Sequence, residues 1–74
     1  MITFTNDLEN LFTYHPPTSD QVERYHKLRR SAKSFAEVIV ECTPPGPDQS
    51  AAIRKVREAV MTANAAIACG EAAT

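Results

Sequence analysis

At 74 residues and 8.1 kDa, with a net charge of −1 and a pI near 6.0, the chain holds one small domain, residues 1–74. Its apolar residues, 43% of the total, include eleven Ala, three Phe and no Trp, so one copy builds only a thin core. That excludes a monomeric enzyme with a deep pocket and favours self-association, while the charge balance excludes a general duplex-DNA binder, which runs strongly basic.

No apolar run approaches the length that spans a bilayer, and Met1-Ile2-Thr3-Phe4 lacks the basic start of a secretion signal. A cytoplasmic protein with no membrane partner is expected. In chain order, Thr5-Asn6-Asp7-Leu8-Glu9-Asn10-Leu11-Phe12 reads as a short helix, about 5–12, with Leu8, Leu11 and Phe12 on one side. Pro16-Pro17 breaks the chain. Residues 18–43 then contain no Gly or Pro, and Tyr25, Leu28, Ala32, Phe35, Ile39 and Cys42 recur at alternating steps of three and four. That spacing predicts a long helix, about 19–42, with Thr18 and Gln21 in capping-box form and Asp20 in the first turn.

Pro44-Pro45-Gly46-Pro47 makes the second break. Ile53, Val56, Val60, Ala63 and Ile67 repeat the same period over about 47–69, where Pro47 suits a first helical position and Gly70 a stop. The fold class expected is all-α: a short N-terminal helix, then a long antiparallel two-helix hairpin. Pairing about the 43–49 loop sets Phe35 near Val56 and Arg57, and Lys33 near Ala59. It also separates Cys42 from Cys69 by about 30 Å at 1.5 Å per residue, too far for an intrachain disulfide. With no CxxC and two histidines eleven apart, no metal site is expected. Ala59, Ala63, Ala65, Ala66 and Ala68 let a neighbouring backbone approach closely, and Asn64 among them is placed to fix register in an assembly.

The basic residues fall in two clusters. Arg24, Lys27, Arg29, Arg30 and Lys33 occupy ten residues without an acid, and Arg54, Lys55 and Arg57 form the second. Tyr25, Arg29 and Lys33 share one stripe of the long helix, and Tyr14 and His15 arrive on a connection stiffened by Pro16 and Pro17. Cations for phosphate, aromatic faces for bases and small residues that permit close approach are the ingredients of a nucleotide pocket. The candidate ligand-binding residues are Tyr14, His15, Arg29 and Lys33, with the helix N-terminus at 19–21 as a further anion site. There is no glycine-rich phosphate loop. No convergent carboxylates or Ser/His/Asp set is suggested, and His26 belongs to a polar face. No catalytic residue and no cofactor are expected.

Several runs carry a more specific signal. Phe12-Thr13-Tyr14-His15-Pro16-Pro17 is followed by Gln21, Arg24-Tyr25, Leu28-Arg29, Ala32-Lys33 and Phe35-Ala36. The tail reads Glu58-Ala59-Val60-Met61, then Ala63-Asn64-Ala65-Ala66-Ile67-Ala68. Together, over about 6–70, these runs resemble the phage anti-CBASS cyclic-oligonucleotide sponges, whose helical-hairpin domain is similar to that of the phage Thoeris-antagonist sponges. The resemblance implies a homohexamer, built as three dimers, in the cytoplasm of an infected bacterial host. It implies immune evasion by sequestration: cyclic dinucleotides such as 3′,3′-cGAMP are bound between protomers and not cleaved. Tyr14 matches the family's base-stacking position and Arg29 its phosphate-binding position. Some members also hold cyclic trinucleotides in a second pocket nearer the three-fold axes. Relatives carry Arg where this chain has Cys69, and loss of that charge argues against the second pocket here. Two alternatives remain open: a sponge for cyclic ADP-ribose isomers of Thoeris defence, and a small helical module that binds a protein or single-stranded nucleic acid.

Overall fold

The computed structural model describes residues 4–72, which form three helices and no strand: α1 (Phe4–Phe12), α2 (Ser19–Cys42) and α3 (Pro47–Ala72). Thr18 decides where α2 begins. Its hydroxyl accepts from the Gln21 N–H at 3.2 Å, and the Gln21 side-chain oxygen accepts from the Thr18 N–H at 3.0 Å. The reciprocal pair closes the capping box expected from sequence and satisfies a donor that the helix would otherwise leave open. At the far end, Thr43 is extended because Pro44 follows it. Its N–H and hydroxyl both bond the Ile39 carbonyl, at 3.1 and 2.6 Å.

The hairpin turn is short and braced from both sides. Gln49, in the first turn of α3, donates to the carbonyl and hydroxyl oxygens of Thr43, each at 3.1 Å. Pro47 opens α3 at a position where its missing N–H costs nothing, and the Ser50 N–H reaches the Gly46 carbonyl at 3.1 Å. α2 packs on α3, and α1 also meets α3. Cys42 and Cys69 are free thiols toward opposite ends of the hairpin. None of the described helices is long and apolar enough to cross a membrane.

Two local expectations need correction. α3 does not stop at Gly70; it continues to Ala72, and neither glycine has a positive φ. The reason is Glu71, whose carboxylate is held by α2 and keeps the last turn of α3 wound. Gly70 therefore sits inside a helix, with nothing within 4 Å of where a Cβ would stand. Gly70→Ala should stabilise the protein by about 0.5–1 kcal/mol, read as a raised melting temperature. A lowered one would mean that the bare Cα is needed for packing against another chain.

The second correction concerns register. Phe35 shares a groove with Val56 and Ala59, while Lys33 and Arg57 share a different one. Residues 33 and 35 point about 200° apart around a helix, so they cannot both face one side of the seam. Ala32, Val56 and Val60 lie on the seam itself and border both grooves.

No side chain among the described residues is fully buried. Phe35, Val38, Val40 and Met61 all remain exposed on the hairpin. The thin core expected from composition is, in one chain, no closed core at all.

Candidate functional site

The cation run of α2 divides into two parts. Arg24 is fully engaged: its guanidinium grips Glu71 of α3 through two bonds, 2.6 and 2.7 Å, and its Nε donates to Asp20 at 3.0 Å. Gln21 adds a third bond to the same Glu71 carboxylate at 2.9 Å. These donors, Arg24 first and Gln21 second, hold the Glu71 carboxyl down at about 2. Arg24 is pushed above its ordinary value by the same hydrogen bond. This clasp pins the open end of the hairpin. It also removes the expected anion site at 19–21, since the Gln21 N–H is spent on the cap and two carboxylates stand beside it.

Because its folded value lies below the ordinary 4.5, Glu71 stabilises the hairpin above that pH and loses the contribution as pH falls towards 2. The melting temperatures of wild type and Glu71→Gln should therefore differ at neutral pH and converge at about pH 2. A gap of the same size at both pH values would show that the clasp adds nothing to stability.

Two of the other four cations of the run, Arg29 and Lys33, face a groove of about 380 Å³ between α2 and α3, whereas Lys27 and Arg30 do not line it. Arg29 and Lys33 come from α2, one turn apart, and Arg57 comes from α3. Ala32 and Ala36 keep the α2 wall low, while Val56, Val60 and Met61 make an apolar surface on the α3 side. No acidic residue lines it. Asn64 stands on the same wall, and its side-chain oxygen is shielded from solvent without a hydrogen-bond partner in the single chain. Such an acceptor costs about 1–3 kcal/mol until a donor reaches it.

Tyr14 and His15 lie elsewhere, on the strap between α1 and α2. Tyr14 is 80% exposed, whereas His15 is half-buried and donates from Nε2 to the Asn10 carbonyl at 2.8 Å. Neither lines the cationic groove. One chain thus brings Arg29 and Lys33 together and leaves Tyr14 and His15 apart from them.

Arg57 is the residue that the sequence reading did not single out. It was visible in the second basic cluster, but pairing centred on Gly46 set it beside Phe35. Centring the turn on Pro45 places Arg57 with Lys33 and Met61 with Arg29, in agreement with the groove.

A second, larger groove of about 720 Å³ runs along the other side of the seam. Leu28, Phe35, Ile39, Val56 and Val60 make it almost wholly apolar, with Lys55 the one charged residue on its walls.

Among known families, the model described as Acb2/Tad1, hairpin domain, matches residues 5–68. No curated protein and no solved structure matches the chain. The match runs from α1 through most of α3 and includes Tyr14, the cationic groove and the turn between the long helices. The chain belongs to the Acb2/Tad1 hairpin-domain family.

Proposed function

We propose that this protein is a non-enzymatic sponge of phage immune evasion, which binds and sequesters cyclic dinucleotide second messengers of bacterial CBASS defence in the cytoplasm of the infected host. The observation that carries the reading is the groove where Arg29, Lys33 and Arg57 converge without an acid. Three cations on an apolar floor suit a small dianion with two flat bases. A long polyanion would meet the acidic residues outside this groove.

The protein works as a homo-oligomer, a hexamer of three dimers on the family pattern. A second copy covering the apolar groove would remove Phe35, Leu28 and Ile39 from water. A second chain would also bring a Tyr14 to the cationic groove, which no chain supplies for itself. A cyclic dinucleotide has approximate two-fold symmetry, and an isologous interface presents each group twice. Two stacks on Tyr14 and two charge-assisted contacts from Arg29 then act on one ligand. Asn64 finds its donor either in the facing chain or in a ligand N–H.

Calorimetry against 3′,3′-cGAMP, cyclic ADP-ribose isomers and cyclic tri-adenylate tests the assignment. Heat with 3′,3′-cGAMP, and recovery of intact nucleotide after the protein is denatured, are expected. Heat only with the cyclic ADP-ribose isomers would move the protein to Thoeris antagonism, and no heat with any of them would leave an interaction module. Cyclic tri-adenylate should bind weakly, because Cys69 carries no charge and its carbonyl is already bonded to Asn10. Submicromolar affinity for it would overturn that point.

A further inference from the structure

We infer that His15 and Asn10 are positioning residues for Tyr14, forming a latch that fastens the strap before α2 to the end of α3; this rests on Tyr14 being the base-stacking residue. α1 ends at Phe12, so the carbonyls of its last four residues have no partner within the helix. Thr13 donates its hydroxyl to the Glu9 carbonyl, and His15 donates Nε2–H to the Asn10 carbonyl at 2.8 Å. Tyr14 lies between these two anchors, and Pro16 and Pro17 restrict the backbone that follows. Its ring is 80% exposed, so its place is set by the backbone on either side and not by packing.

Asn10 extends the anchor across the molecule. Its side-chain amide donates to the Cys69 carbonyl at 2.9 Å, fifty-nine residues along the chain. That carbonyl belongs to the last four residues of α3. The Cys69 thiol returns a weak bond to the Asn10 carbonyl at 3.7 Å. Every link ends on a carbonyl near a helix end, and every link between the strap and α3 passes through Asn10. A strap held this way presents the Tyr14 backbone already ordered, which removes part of the entropy that a ligand would otherwise have to overcome.

In this arrangement the His15 ring is occupied by the protein and acts through Tyr14, without touching ligand. Glutamine places its amide nitrogen where Nε2 stands, whereas asparagine reaches only as far as Nδ1. His15→Gln should therefore keep the affinity for 3′,3′-cGAMP within about threefold, while His15→Asn, His15→Ala and Asn10→Asp should each weaken it about tenfold at unchanged oligomeric mass. NMR relaxation of the ligand-free protein should show an ordered Tyr14 backbone amide in wild type and His15→Gln and a mobile one in the other three. Wild-type affinity in His15→Ala would overturn the latch. A loss in His15→Gln as large as in His15→Ala would overturn it as well, since the ring itself would then be the contact. If wild type takes up no 3′,3′-cGAMP, the proposed function fails, and the Tyr14 amide signals still judge the latch: no difference between wild type and His15→Ala refutes it.

Discussion

Tyr14→Ala and Arg29→Ala are each expected to weaken cyclic dinucleotide binding by about tenfold or more, with the oligomer still assembled. Both side chains are exposed in the single chain and help no core, so their removal leaves the fold alone. A base stacked on an aromatic ring contributes about 1–3 kcal/mol. A hydrogen bond to a charged group contributes about 1.5–3 kcal/mol. A two-fold site loses two contacts of one kind per substitution, at least about 2 kcal/mol, which places the loss above tenfold. Arg57→Ala should fall in the same range as Arg29→Ala, because the two guanidinium groups face one groove without an acid between them. Arg24→Ala should behave differently, lowering stability through the lost Glu71 clasp while affinity stays near wild type. Calorimetry and thermal unfolding on the same four variants separate these roles. Unchanged affinity in both Tyr14→Ala and Arg29→Ala would remove the proposed site.

The contrast between Arg24 and Arg29 also marks how far the sequence could be read. Alternating steps of three and four placed the seam of α2, and Thr18 with Gln21 placed its start, because both depend on residues close together in the chain. Composition alone indicated that one copy would have only a thin core, and the single chain has no closed one. Arg24 looked like one more cation in an acid-free run, since Asp20 lies outside that run and Glu71, which grips the guanidinium, stands forty-seven residues away, beyond a glycine read as the end of α3. Gly70 is a fair stop signal in isolation; the ion pair formed one residue later overrides it. Arg57 was legible as a cation but not as a wall of the groove, because a shift of one residue in the turn centre moves the pairing by two residues and turns a helix face by about 200°. The bond from Asn10 to Cys69 had no local signature at all. Both are polar or small residues with ordinary spacing, and only the way α1 meets α3 brings them together.

Phe35→Asp is expected to break the assembly and, with it, ligand binding. Phe35 lies in the apolar groove and is 58% exposed in the single chain. If that groove faced water in the working protein, the substitution would be mild, within about 0.5 kcal/mol. If a second copy covers it, the change removes a contact of about 1.5–3 kcal/mol per chain and leaves a carboxylate shut away from water, which costs more than the lost contact. Lys55 is the only cation on the groove walls, and it lies on the far helix. Sedimentation should therefore show smaller particles, with reduced helicity because the monomer has no closed core of its own. Val38→Asp is the control for the hairpin surface outside both grooves, and it should leave the mass unchanged. The decisive measurement is 3′,3′-cGAMP binding by Phe35→Asp at concentrations where the variant is dissociated. Tyr14 and the Arg29 groove are separate within one chain, so binding should vanish together with the assembly, although Phe35 lines neither part. A dissociated variant that bound with wild-type affinity would mean that a single hairpin holds the whole site, and the inter-chain pocket would be wrong.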